Sequence, residues 1–521
     1  MRNKKNIQGT KHYLLILMLL ISIVSASSCK KWLELEPEDG LIEQDYWQTK
    51  EQLKAAVMGC YASLLDGSSV PLTKYMFMWG ELRGDMVTTG FSVDENEDVN
   101  SLNTSRREQL FILRTEIDSR NSIVNWEAFY KTINYCNDVI TNGKLVLNTD
   151  NTISRTQVNA YLAEAYALRG LMYFYLVRSF GEVPLKITAT NKDTDIVPMA
   201  KSSQETIIQQ IIEDLKFAEE HAVVTYGSLK EDRGRITSYT ASAILADVYL
   251  WNEDYDNCIL SCDKVINSGR YQLLPVGTIQ TAWYNTVFRE GNSIEGIFEI
   301  NFDIQKRNPF WPMFIGSREF AAKSWVVEGD LYGIDNVDLD NNDIRGNNAY
   351  FNEATGTITK YTTGLTEATS ATNWFVYRYA DVLLMKAEAL IWQKEGDAAN
   401  GDQALAIVND LRLKRKALPY TNSGQIDIPA STETLAISNF ILEERARELA
   451  FEGKRWYDIL RHSKRNNYQN IQLLLSIASS NALPSKQQTV VNKYKDYRSH
   501  YFPIYYTELQ SNKSLVQNPF Y

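Results

Sequence analysis

Residues 308–314 read Asn-Pro-Phe-Trp-Pro-Met-Phe, so Pro309 and Pro312 stiffen a loop around Phe310 and Trp311. Aromatic faces on such a loop can cover the C–H face of a pyranose ring, while fixed polar groups satisfy its hydroxyls. They do so at low entropic cost. Trp283, Tyr284 and Trp325 lie in the same long region and join them as candidate ligand contacts. The competing reading for each ring is burial in a core. A second chemistry is possible where Asp335, Asp338, Asp340 and Asp343 crowd one turn with Asn341 and Asn342. Oxygen ligands at this spacing could hold Ca²⁺. The order departs from an EF-hand loop, and a turn fixed by Asp343 and Arg345 is the preferred reading. No other cofactor is expected.

Other chemistries are poorly supplied. The 521-residue chain has four histidines (His12, His221, His462 and His500), which disfavours His-rich metal sites and Ser-His-Asp catalysis. Its net charge of −10 offers no basic field to nucleic acid. Carboxylates are plentiful, but none stands in a context that singles out an acid–base pair, as a glycosidase would need.

The first residues read as an address. Arg2, Lys4, Lys5 and Lys11 precede an apolar run, Leu14 to Val24, and then the small residues Ser25-Ala26-Ser27-Ser28. This is the pattern of a secretory signal peptide, 1–28, with an apolar run too short for a permanent membrane span. Cys29 follows directly, as in a bacterial lipobox, so acylation by palmitate-type chains would anchor the mature chain through residues 29–48. Removing the leader leaves 50 basic against 64 acidic residues, a balance of −14. Cys60, Cys136, Cys258 and Cys262 read as buried free thiols.

The body positions these residues on helices and long loops. Apolar residues recur at helical spacing over 49–65, 122–141, 156–179, 204–221, 238–251, 255–268, 377–395, 402–416 and 433–463. Two stretches, 238–269 and 378–417, resemble tetratricopeptide helix–turn–helix units, with Ala243, Ala246, Ala387 and Ala389 allowing close approach. Trp126, Trp251, Trp392 and Trp456 fall in helical patterns and are assigned to the core. The stretches 66–121, 270–376 and 464–521 read as irregular, with short strands at 296–302 and near 356–362.

Four segments together resemble the SusD/RagB family of outer-membrane nutrient-binding lipoproteins. They are Cys29–Leu64, Trp79-Gly80-Glu81-Leu82-Arg83-Gly84-Asp85, the turn 335–346 with Asp343-Ile344-Arg345, and residues 443–461 followed by the closing 502–521. The resemblance implies a mainly α fold: tetratricopeptide-like helix pairs near 123–180, 204–269 and 377–417 support loop-rich regions. It implies one globular domain over 49–521, with an N-terminal part to about 230 and a C-terminal part from about 270. It also implies a non-catalytic, lipid-anchored protein at the outer face of a Gram-negative outer membrane. There it would bind glycan and deliver it to a SusC-type TonB-dependent barrel. By position, Trp79, Arg83, Asp85 and Phe91 match the family's ligand-contacting loop after the first helix. Residues 443–461 read as one helix locked by buried Arg–Glu pairs. The alternatives are a helical glycoside hydrolase and a scaffold binding a non-sugar ligand such as peptide.

Overall fold

In the computed structural model, residues 46–66, 71–93, 99–192, 195–338 and 341–521 are described. The leader, Cys29, the acidic run 94–98 and Asp340 lie outside them. Residues Thr49–Tyr521 form one compact unit.

Local signals start and stop the helices. Helices α1 (Lys50–Asp66), α2 (Leu72–Glu81), α3 (Thr104–Leu113) and α4 (Glu127–Asn142) lead into α5 (Arg155–Phe180). A capping box at Ser154 and Gln157 opens α5, and Gly181 at φ 75° closes it. Then follow α6 (Gln204–His221), α7 (Ser238–Trp251), α8 (Tyr255–Ile266), α9 (Tyr379–Gln393) and α10 (Ala398–Lys414). From α4 to α10 each helix packs on the next, which gives the tetratricopeptide-like stack expected from the small residues. Trp126, Trp251, Trp392 and Trp456 are buried as expected, and the four described cysteines are free and buried. No helix among the described residues is long and apolar enough to cross a membrane.

Four expectations need correction. The stretch 66–121 is not wholly irregular: it contains α2 and α3. In α2 every residue except Lys74 is buried, so no polar face marks the helix. The stretch 464–521 likewise contains α13 (Ile471–Asn481) and α14 (Gln487–Tyr494), and 374–378 is a strand. Residues 433–463 are two helices, α11 (Thr434–Glu448) and α12 (Arg455–Tyr468). Phe451 at φ 64° and Gly453 at φ 70° break them apart. Gly80 of α2 meets this break backbone to backbone: a Cβ there would lie 1.7 Å from the Gly453 carbonyl oxygen. Neither glycine tolerates a side chain.

The strands are short and pair in twos. They are β1 (Val87–Thr89), β2 (Gly296–Ile300), β3 (Phe320–Ala322), β4 (Phe351–Asn352), β5 (Thr357–Ile358), β6 (Trp374–Arg378), β7 (Tyr420–Thr421) and β8 (Gly424–Gln425). The pairs are β1–β3, β2–β6, β4–β5 and β7–β8, all antiparallel.

A charged network fills the C-terminal half. Glu448 bonds Arg345 at 3.1 Å, Arg378 at 2.9 Å and Arg415 at 3.0 Å, all with fully buried side chains. Glu444 holds Arg345 at 2.6 Å and Arg412 at 2.9 Å, and Asp343 holds Arg345 at 2.6 Å. Burial opposes the charge on Glu448, but the guanidinium groups of Arg415, Arg378 and Arg345 outweigh it and hold the carboxyl well below its usual range. Residues 443–461 therefore lock the fold, as expected, but mostly through distant partners rather than pairs one turn apart. The Asp343–Arg345 turn is part of that lock.

Candidate ligand-binding surface

The three-residue strands β1 and β3 form a ribbon with Val87 opposite Ala322 and Thr89 opposite Phe320. Because the pairing is antiparallel, each end of the ribbon joins a residue group from the early loop to one from the late loop. At one end Thr89 leads to Phe91, and Phe320 is preceded by the Trp311 loop. At the other, Val87 is preceded by Asp85, and Ala322 leads to Trp325.

The Phe91 end is an open rim. The Gly90 N–H donates to the Glu319 carbonyl at 3.1 Å, which carries the pairing one step beyond β1. Phe91 is half-buried, and the Arg106 guanidinium lies 4.8 Å from its ring centre. Arg106 also donates to the Ser317 carbonyl at 3.4 Å. Trp311 is half-buried against Gly316, where a Cβ would lie 2.8 Å from the ring. A helical turn over Pro312–Gly316 holds this loop, closed by the Ser317 N–H on the Pro312 carbonyl at 2.7 Å. Glu319 is tied to Lys74 and Gln109, both at 2.7 Å, and Arg318 is exposed with its Nη2 on the Thr355 carbonyl at 2.6 Å. The rim thus offers aromatic surface, cations and hydroxyl-binding groups on a braced backbone, the combination a sugar requires.

The Asp85 end opens into a cleft of about 1020 Å³ lined by Asp85, Trp325 and residues of the β7–β8 hairpin and α11. Asp85 holds Arg455 through both oxygens, at 2.7 and 2.8 Å. Burial opposes its ionisation, but Arg455 prevails and holds the carboxyl below its usual value. The Trp325 N–H donates to the Asp85 carbonyl at 2.5 Å.

The remaining candidates are core. Trp79 is fully buried, donates to the Ile123 carbonyl at 2.7 Å and stacks on Phe129 at 4.4 Å. Arg83 is 1% exposed, lies 3.7 Å from the Phe502 ring centre and bonds the His500 carbonyl. Burial pulls its guanidinium below the usual value. Trp283, Tyr284 and Phe310 are buried too, with Phe310 stacked on Tyr361 at 4.5 Å. These rings lack the open face that a ligand would stack on. In the aspartate turn, Asp335 accepts the Val337 and Asp338 N–H groups at 2.9 and 3.0 Å and Asn341 at 2.8 Å. Asp343 is committed to Arg345. Among the described residues no group of three or more His, Cys, Asp or Glu is placed to hold a metal.

Two family models match complementary parts of the chain. Residues 283–521 match the SusD family, and residues 65–250 match a family described as starch-binding and associating with the outer membrane. The chain belongs to the SusD/RagB family. SusD-like protein P2 of Formosa agariphila is 27% identical, over 98% of this chain and 99% of that one. SusD-like protein P38 of the same organism is 26% identical, over 89% and 93%. A SusD superfamily protein from Bacteroides vulgatus superposes with TM-score 0.69 at 21% identity, covering 91% of this chain and all of the other. A structure named a laminarin-binding SusD-like protein superposes with TM-score 0.64 at 20% identity, over 91% and 100%. These structural likenesses establish the SusD fold, and family membership supports glycan binding and outer-membrane association.

Within this SusD fold, sequence reasoning missed Arg106 and Arg318 at the rim and the acidic residues of the cleft. The sequence around Arg106 and Arg318 carries no signal of which loop each will cover. The β1–β3 pairing, with Lys74, Gln109 and Arg106 reaching across, brings these distant segments onto one surface.

Proposed function

We propose that the protein is a lipid-anchored, cell-surface member of its family that binds oligosaccharide at the Phe91–Trp311 rim. It passes the ligand to a SusC-type TonB-dependent barrel and catalyses no reaction. The observation that supports the rim assignment is the β1–β3 ribbon together with Arg106, which reaches from the Phe91 ring to the Ser317 carbonyl. The starch-binding family description and the laminarin-binding structural relative support a glucan-type ligand. The non-catalytic reading is supported by the relatives, which are named SusD-like or laminarin-binding proteins, and by Glu444, Glu448 and Glu452 being enclosed and paired with cations.

Calorimetry with laminarin, starch and other glucan oligosaccharides tests this reading. Binding to at least one is expected, with no new reducing ends after incubation. Binding by none of a broad glycan panel would overturn it. Cys29→Ala is expected to release the protein from membranes, and co-purification with a barrel protein tests the partner.

A further inference from the structure

The cleft at the other end of the ribbon has its own chemistry. Its volume of about 1020 Å³ sits at the top of the roughly 300–1,000 Å³ usual for sites enclosing a compact ligand. Leu331, Leu442, Ala446 and Leu473 give it an aliphatic floor, and Ile428 stands 59% exposed at its wall. Asp330, Asp427, Glu433 and Glu443 also line it.

The basic lining residues are Arg447 and Arg455, and both are turned inward. Arg455 closes on Asp85 and donates to the Leu442 carbonyl at 3.1 Å. Arg447 donates to the Leu331 carbonyl at 2.7 Å and to Glu444 at 3.3 Å, leaving only a 3.5 Å contact with Glu443. Among the described residues Asp330 accepts the Ser423 hydroxyl at 2.9 Å, and Glu433 the Ala430 N–H at 3.3 Å. The mouth is therefore electronegative, and nearby cations do not neutralise it. The cleft is also lined by Gly424 and Gln425 of β8, a strand paired on one side only among the described residues. An uncovered strand edge offers main-chain donors and acceptors to an extended chain.

We propose that this cleft binds an extended peptide segment carrying alternating basic and apolar side chains. Lys or Arg side chains meet Asp330, Asp427 and Glu433, and apolar side chains rest on Leu331, Leu473 and Ile428. The floor is aliphatic and Trp325 is its one half-exposed ring, so the lining suits apolar side chains better than stacked sugars. The site is independent of the glycan rim.

The test titrates the whole protein with a synthetic Leu-Lys alternating hexapeptide, an alternating Leu-Glu control and a glucosamine hexasaccharide, following Trp fluorescence and heat. Only the Leu-Lys peptide is expected to bind, and more weakly as salt is added. The exposed double variant Asp427→Asn/Glu433→Gln and the cation-introducing Ile428→Lys are each expected to weaken it by about 10-fold or more. Trp311→Ala should leave it unchanged. Absence of Leu-Lys binding, equal binding of the Leu-Glu peptide, insensitivity to both cleft variants, or binding of the amino sugar instead would overturn the proposal. Loss of glycan binding in Trp311→Ala with peptide binding retained separates the two sites.

Discussion

Around Glu448, carboxylates and guanidinium groups are buried and turned on one another, whereas at both ends of the β1–β3 ribbon aromatic and acidic groups reach solvent. The two regions draw on the same residue types. In the first, each charge has several partners from distant segments, so removing one member leaves others stranded in a medium that cannot solvate them. In the second, the backbone is braced and the side chains have few obligations. The family-like motifs of residues 335–346 and 443–461 thus belong to the first region, and ligand recognition belongs to the second.

The widest separation between the regions should come from Glu448→Ala. It strands Arg345, Arg378 and Arg415 and is expected to cost about 3–5 kcal/mol, measured by urea denaturation. Glycan affinity of the protein that remains folded should be unchanged. A cost below about 1 kcal/mol would mean that the network is dispensable.

A smaller effect is expected at Glu81, which joins α2 to the break between α11 and α12. Its Oε1 accepts the Gly453 and Lys454 N–H groups at 2.9 and 3.3 Å, while Oε2 has no partner. Burial raises its pKa from 4.5 to about 8 despite those bonds and the nearby Arg455. A raised carboxyl contributes stability that is fully present below pH 4.5 and is lost as pH rises toward about 8. The protein should therefore lose up to a few kcal/mol across that interval, at about 1.4 kcal/mol per pKa unit. Glu81→Gln keeps an acceptor for both N–H groups and should flatten the slope. An unchanged slope in this variant would assign the pH dependence elsewhere.

At the rim the order of effects should invert. Phe91→Ala and Trp311→Ala are expected to cost about 1–2 kcal/mol of glycan affinity, roughly 10-fold or more, with smaller losses of folding stability. Trp283→Ala, at a buried ring, should do the reverse and cost about 3–5 kcal/mol of stability. If Trp311→Ala leaves affinity for the true ligand unchanged, Trp311 is not part of the site.

The sequence showed the helices with long apolar runs and clear stop signals and hid the short ones without them. Helix α5, though buried along most of its length, announced itself through that length and Gly181, whereas α2 has ten residues and no side-chain cap. The break at 449–454 had one clue, Gly453; Phe451 at φ 64° is a conformation that a non-glycine residue adopts only under tertiary constraint. The site was half legible for the same kind of reason. Composition marks Trp79, Trp283, Trp311 and Trp325 alike. Only long-range packing decides that Trp79 and Trp283 pack inside against other rings while Trp311 and Trp325 flank a ribbon of two three-residue strands.

The aspartate turn gives the smallest and most discriminating test, because it joins exposed acidic groups to the buried network. Asp335 is half-buried, and its carboxyl is lowered to about 2, first by the Asp338 N–H, then by Asn341 and the Val337 N–H. Those bonds occupy the oxygens a cation would need, and Asp343 has given both of its own to Arg345. Adding Ca²⁺ or a chelator should therefore shift Tm by no more than a degree or so, consistent with less than about 0.5 kcal/mol. Asp335→Ala should cost under about 1 kcal/mol, the value of a local cap, whereas Asp343→Ala reaches into the network and should cost several times more. A Ca²⁺-dependent rise in Tm that Asp335→Ala abolishes would instead make the turn a cation site and move it from the structural region to the functional one.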